Sequence, residues 1–419
     1  MKPTPWWSYR GIAVAVMLAA ALPAFGPAAA APADDPPILE YSSSGGGPAS
    51  AEFNRVIPHR AVQAVLLDIA RAPRDRAYVD AALQGTDVTA ERLAAIGLIR
   101  EAGSAYRLAF SLLTAGDRAV IRTAAEREGR LLAGHVLAQR QAIQTLITEA
   151  KLPGGDWKAA AFFLVGCVSL DWDGLNLVEE RNYLARGGKG EFIPSAWQPV
   201  PPEEVRRLYW GSHNYHDSLA VTTFGDHAAV PRVGLPDLFW GMTLAAPDPV
   251  PARARRAVEG LVRRQATRVM LALRDGPKDL AGLAAAVGVE QQPLKDMLAF
   301  LASLDYVAES GGLFEARITV LDERDRGMVR QLRQLGRQAM ERWADDRYAA
   351  LAADLDVLAP RKYGVPLSHS FYWVWHYIFG IANRELVGAG LFADPYDPGR
   401  RFQGFLPAVY SLNVVQGRF

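Results

Sequence analysis

Thiol chemistry is all but missing from this chain of 419 residues: Cys167 is its one cysteine. That excludes an intramolecular disulfide framework and any all-cysteine metal site. Cys167 sits in the apolar run Leu164-Val-Gly-Cys-Val168 with no basic neighbour, and reads as a buried, inert thiol. Charge of one sign is also lacking. The chain has 46 Lys and Arg against 45 Asp and Glu, a formal net charge of +1, which argues against a generic polyanion binder. No strong catalytic motif is present. What is present is ordinary globular material, 50% hydrophobic and 22% charged, which excludes a disordered or fibrous chain. At roughly 150 residues per domain the length predicts two or three domains.

The N-terminus reads as an address. Lys2 and Arg10 precede the apolar run Gly11–Leu22, which Pro23 and Pro27 end before the small residues Ala28 to Ala33. A basic start, a short apolar core and an Ala-x-Ala site predict a secretory signal over residues 1–33, cleaved after Ala30 or Ala33. The run is too short and too broken by proline for a comfortable membrane span, so membrane contact is expected only through this signal. Residues 34–58 read as a flexible linker, because Asp34-Asp35-Pro36-Pro37 and Ser42-Ser43-Ser44-Gly45-Gly46-Gly47-Pro48 lack apolar periodicity.

Beyond the linker the chain resembles itself. Leu93-Ala-Ala-Ile-Gly-Leu-Ile99 matches Leu301-Ala-Ser-Leu-Asp-Tyr-Val307 at an offset of 208. The offset then pairs Gly103 with Gly311, Tyr106 with Phe314, Leu113 with Leu321 and Asp117-Arg118 with Asp325-Arg326. Two copies of one unit are therefore expected, over 59–246 and 253–419, with a proline-rich linker at 247–252. The fold class expected is mainly α with small β wings: two winged-helix copies in an internal repeat, each followed by a long helix. Thr114 and Asp322 are placed to cap those long helices. Leu132, Val136, Ile143 and Ile147 would stripe the first, and Val329, Leu332, Ala339 and Trp343 the second. Such helices pair in two-winged-helix dimers, so an internal pseudo-dimer is expected within a monomeric chain.

The second copy carries the resemblance that suggests this fold. Leu280-Ala-x-Leu-Ala-x-x-Val-Gly-Val-x-x-x-x-Leu294, then Leu298-x-x-Leu-x-x-Leu-x-Tyr-Val307 and two strands around Ser310-Gly-Gly312, resemble a winged helix-turn-helix of the ArsR/MarR-like superfamily. Ala284 and Gly288 are small where two helices must cross. In the first copy Val79–Leu83 and Thr89–Ile99 supply the helices, with the hairpin at Gly103. The resemblance covers about 60 residues per copy. It also extends to the dimerisation domains of small-molecule methyltransferases, but those need a Gly-rich nucleotide loop downstream, and none follows Leu358.

The resemblance implies DNA binding; the residues argue against it. The candidate recognition helix, Gln291 to Leu304, offers Lys295 beside Asp296, and Glu290 and Asp305 flank it. Base-reading Arg or Asn pairings are missing. If DNA were bound, Lys295, Arg317, Arg263 and Arg264 would make the contacts. A second possibility rests on Trp210-Gly-Ser-His213-Asn-Tyr-His216-Asp217 and Asp226-His227. His213, His216 and His227, with Asp226, could coordinate a divalent metal and support hydrolysis. Polar loop packing is the competing reading. The run His369–Phe379 suits a buried helix or an alternating strand, as core or as a pocket lined by Trp373, Trp375 and Tyr377.

The expectation drawn from these residues is an exported, non-enzymatic interaction module without a cofactor. Its partner would be an unidentified protein or small ligand. The alternatives are a cytoplasmic DNA-binding regulator and a metal-dependent hydrolase using the histidine cluster.

Overall fold

The computed structural model describes residues 38–154, 156–187, 192–216, 219–229, 264–303, 305–400 and 403–415. The expected signal, 1–33, and the proline-rich linker, 247–252, lie outside them. The protein is mainly helical with small sheets. In chain order its principal elements are β1 (Glu40–Ser44), α1 (Pro48–Val56), α2 (Arg60–Arg71), β2 (Arg74–Asp75), α3 (Arg76–Ala82), α4 (Ala90–Ala95), β3 (Ile99–Ala102), β4 (Ala105–Leu108), β5 (Ser111–Leu113), α5 (Ala115–Leu137) and α6 (Arg140–Glu149). There follow α7 (Trp157–Ala161), a π-helical segment (Phe162–Asp173), α8 (Gly174–Glu180), β6 (Ile193–Trp197), β7 (Tyr209–His216), β8 (Leu219–Asp226) and α9 (264–272). The chain continues through β9 (Lys278–Asp279), α10 (Leu280–Val287), α11 (Gln291–Ser303), β10 (Val307–Ser310), β11 (Leu313–Ala316), β12 (Thr319–Leu321), α12 (Arg326–Asp354), α13 (Phe371–Gly388) and β13 (Phe405–Ser411).

Two compact units form, and they do not follow the expected halves 59–246 and 253–419. Unit 1 takes the stretch ending at Glu128, Leu175–Glu204 and Asp345–Ile378; unit 2 takes Gly129–Gly174, Val205–Ala344 and Phe379 onward. The sequence similarity tracks order along the chain, whereas compactness tracks packing, and the divisions fall inside α5, α12 and α13.

Unit 1 begins where a linker was expected. Residues 38–57 are structured, which corrects the reading of 34–58. Phe53, Val56 and Ile57 stand at helical spacing and are buried, and Pro48 opens α1 where its missing N–H costs nothing. The serines of β1 pair with β6, Ser42 opposite Ser195, so their backbones are satisfied by the ladder rather than by water. The Gln63 side chain accepts from the N–H groups of Ile38 and Leu39 and donates to the Ile57 carbonyl, each at 3.0 Å. Asp75 caps α3 by accepting from the Tyr78 N–H, and Thr89 caps α4 by accepting from Arg92. The helix expected over 89–99 stops early. Gly97 takes a φ of 74° and Ile99 opens β3. Strands β2-β4-β3 form one sheet, and β1-β6-β5 another, in which β5 runs parallel to β6.

Unit 2 has the same kinds of turn. Asp279 caps α10 by accepting from the Gly282 N–H, and Gly288 ends it at φ 68°, in the left-handed region where a Cβ is penalised. Helix α11 starts two residues before Pro293, which a first helical turn tolerates. The turn between β10 and β11 uses Gly311 and Gly312. Thr319 and Val320 belong to β12, which pairs parallel to β13 in the sheet β12-β13-β8-β7. The other sheet of unit 2 is β10-β11-β9.

The first long helix is two, α5 and α6, broken at residues 138–139; Leu132, Val136, Ile143 and Ile147 are nonetheless all buried. Val329, Leu332, Ala339 and Trp343 of α12 are buried as expected. The aromatic run is helical in α13, and Trp375, Tyr377 and Phe379 are core. Among the described residues one helical stretch, Trp157–Glu180, is long and apolar enough to cross a membrane, and 78% of its apolar window is buried within the protein.

Buried charges are paired. In unit 1, Glu128 is fully buried and receives two hydrogen bonds from Arg347, at 3.0 and 3.1 Å, and one from Arg127 at 2.7 Å. Burial alone would raise its pKa; the hydrogen bonds from Arg347 and Arg127 outweigh that and hold it below the usual glutamate value. In unit 2, Arg333 grips both oxygens of Asp173, at 2.6 and 2.8 Å, and donates to the Val415 carbonyl.

Two predictions follow from these contacts. Replacing Gly288 with Ala should cost about 1–2 kcal/mol, because its φ is left-handed; chemical denaturation should show a lower midpoint with an unchanged slope. Glu128 binds a proton less readily folded than unfolded. Its stabilisation is therefore complete above the ordinary glutamate pKa and is lost as pH falls through the lower folded value. Melting temperatures should place Glu128→Gln below the unaltered protein near neutral pH, with the gap narrowing as the pH falls below the ordinary glutamate value.

Candidate functional site

The histidine-bearing segment folds as the hairpin β7–β8 at the edge of the unit 2 sheet. On β7, His213 pairs with Thr223 and His216 with Ala220. The helix that would have put His213 and His216 on one face does not form, and on a strand two residues three apart stand at positions of opposite parity. Their side chains lie outside the described ones. His227 follows the far end of β8, beyond the Tyr209–Asp226 pair, with its Cα against Gly211, so two strand positions, roughly 7 Å, separate it from the level of His213.

Asp226 is committed elsewhere. It is fully buried, and its carboxylate accepts from the Tyr396 hydroxyl at 2.5 Å, the Arg207 N–H at 2.7 Å and the Ala228 N–H at 2.9 Å. Its own N–H donates to the Gly404 carbonyl at 2.6 Å. Arg207 holds a φ of 61° and sets its guanidinium 4.7 Å from the centre of the Tyr396 ring. Burial, and then the hydrogen bond to Asp226, raise the Tyr396 pKa, so the phenol keeps its proton. His227 packs against Trp210, ring centres 5.7 Å apart, and burial lowers its pKa, leaving it neutral. Both Asp226 oxygens are thus engaged, tying three stretches of chain together. Among the described residues no group of three His, Cys, Asp or Glu gathers as a metal site would need.

A polar row missed in the sequence crosses the same sheet. Asn214 donates to Ser212, Thr222 donates to the Asn214 side-chain carbonyl at 2.8 Å, and Thr222 shares a 2.9 Å hydrogen bond with the Tyr410 hydroxyl. Only strand register brings these together, since Tyr410 lies 188 residues from Thr222. Cys167 is fully buried, and burial pushes its thiol pKa well up, so it is no nucleophile. Trp373 packs on Trp197, ring centres 4.7 Å apart, and the buried Tyr377 phenol is raised to about 12 by its surroundings. Trp373, Trp375 and Tyr377 are all buried.

Of the four residues expected to contact DNA, three are described. Lys295 is exposed on α11, and beside it Asp296 accepts from Gln292. Arg317 pairs with Asp305 at 3.1 Å. Arg264 is exposed at the start of α9; Arg263 lies outside the described residues. In unit 1 the cations around α3 and α4 are taken: Arg55 and Arg92 each bind both Glu52 and Asp87, and Arg76 binds Glu91 and Asp80.

Comparison with known proteins finds no matching family model, no similar curated protein and no similar solved structure.

The Asp226 corner yields a stability test. Tyr396→Phe removes a charge-assisted hydrogen bond and should cost about 1.5–3 kcal/mol in urea unfolding. Asp226→Ala should cost more, because it strands the Arg207 and Ala228 N–H groups as well. An unchanged midpoint in Asp226→Ala would remove this corner from the account of the fold.

Proposed function

We propose that the protein is an exported, non-enzymatic interaction module built on tandem winged-helix units, the two copies forming a fused pseudo-dimer. The observation that carries this reading is the neutralised surface of α3 and α4, where Arg55, Arg76 and Arg92 are bound to carboxylates instead of being presented to phosphates. A DNA reader draws its affinity from free cations that displace counterions.

Strand order supports the repeat. The orders β2-β4-β3 and β9-β11-β10 match, and each of β3, β4 and β5 begins 208 residues before β10, β11 and β12. The order β1-β6-β5 recurs as β8-β13-β12, with the same antiparallel and parallel senses. The fused-dimer reading draws on one pair of contacts. In unit 1, Arg347 binds Glu128; in unit 2, the Gln139 amide donates to the Leu335 carbonyl, beside Gly336. The 208-residue offset carries Glu128 to Gly336 and Gln139 to Arg347, the reciprocal relation of an isologous interface.

Two measurements test the reading together. The mature chain should be recovered outside the cytoplasm, beginning at Ala31 or Asp34. Fluorescence anisotropy with duplex DNA at physiological salt should give only non-specific binding, weaker than about 10⁻⁶ M. Nanomolar binding with a steep salt dependence, by a cytoplasmic chain retaining Lys2 and Arg10, would replace the interaction module with a transcription regulator.

A further inference from the structure

We propose that Asp171 is a proton-held latch of the π-helical segment: while neutral it lets Phe162–Asp173 stay packed in unit 2, and when its proton passes to water the segment is released. Asp171 is only 4% exposed. Among the described residues no hydrogen bond or ion pair reaches its carboxyl. Every other buried acid discussed above has such partners: Asp173 has Arg333, Glu128 has Arg347 and Arg127, and Asp226 has three donors. A buried carboxylate without a partner is very costly, so the group stays protonated instead.

Among the described residues no cation is paired with Asp171. On its own segment stand Cys167, one turn earlier, and Asp173, which is bound to Arg333. Helix α7 brings Lys158, which lies over the Trp157 ring, and β7 brings Tyr209, whose phenol burial raises. His213 and His216 are on β7 as well. Strand β13 brings Tyr410, which is bonded to Thr222, and α12 brings Arg333, which is bonded to Asp173 and Val415. Helix α13 brings Asn383, whose amide donates to the Tyr209 carbonyl, and the Arg384–Glu385 pair. Among the described residues Asp171 is an electrostatic neighbour of Cys167 and disfavours ionisation of its thiol. Burial raises the Asp171 pKa well above the usual carboxylate range.

The element is suited to two states. A π-turn is intrinsically poorer than an α-turn, and twelve consecutive residues of it persist only through packing. That packing is close. A Cβ on Gly166 would stand 3.0 Å from the Asn383 side-chain oxygen, and one on Gly336 would stand 2.5 Å from the Ser169 Cβ. Contacts this tight are kept or lost together rather than loosened by degrees.

Cys167, as the sole thiol, reports the release directly. Its labelling rate in the native protein, divided by the rate in the urea-unfolded chain at the same pH, cancels thiolate chemistry and leaves the open fraction. This ratio should rise with pH in the unaltered protein, by up to about tenfold per pH unit, the slope of one proton. It should be flat in Asp171→Asn. A flat ratio in the unaltered protein, or an equal slope in the variant, would overturn the latch. Should Asp171→Asn not fold, hydrogen exchange of the unaltered protein decides instead. Intrinsic-rate-corrected protection should fall with pH in peptides spanning 162–173 and hold in those spanning β8 and β13. A uniform fall, or none, counts against the proposal.

Discussion

Each long helix begins at a buried acid, and the course of the chain in each unit depends on what that acid accepts. The Asp117 carboxylate takes the Thr114 N–H at 2.8 Å and its hydroxyl at 2.7 Å, and reaches the Ala359 N–H at 2.7 Å. Asp325 takes the Asp322 N–H at 2.9 Å and two hydrogen bonds from Arg274. Both acids are buried, so their charges must be matched at once by oriented donors. The match sets the angle at which β5 turns into α5 and β12 into α12. The small sheets β2-β4-β3 and β10-β11-β9 then lie before these corners and the long helices after them.

The same economy governs other interior charges. Glu128 with Arg347, Arg333 with Asp173 and Asp226 with Tyr396 are each strongly hydrogen-bonded, and each joins segments far apart in sequence. Such pairs add little net stability over an apolar filling, but breaking one leaves a stranded charge, so they penalise wrong pairings. Asp171 stands outside this pattern and must remain neutral. The surface of unit 1 follows a milder version of the rule, with exposed arginines bound to nearby carboxylates. That leaves little field for a polyanion, which is why the interaction-module reading is preferred over a DNA reader.

Much of the local structure was legible in the sequence because its causes are local. Asp279 and Gly288 bound a helix through one cap and one left-handed turn, and Gly103, Gly311 and Gly312 mark hairpins for the same steric reason. The buried stripes of α5, α6 and α12 were visible as periodicity, although the break at residues 138–139 was not. The linker reading failed at β1 for a related cause. A serine-rich strand has no alternation to reveal it, and its identity comes from pairing with β6.

By itself, then, the sequence determined the caps, the turns, the helical stripes and the 208-residue self-similarity, all of which depend on neighbours a few residues apart or on simple matching of residue types. The tertiary structure alone decided which segments share a unit and what became of the candidate site. His213, His216 and His227 are close in sequence, but an extended hairpin spreads residues by about 3.3 Å each and sends them to different levels of the sheet. Tyr396 and Arg207 reach Asp226, and Tyr410 reaches Thr222, only because strand register and loop return bring them there. Hydrogen bonds across 170 or more residues leave no periodic trace in the chain that makes them.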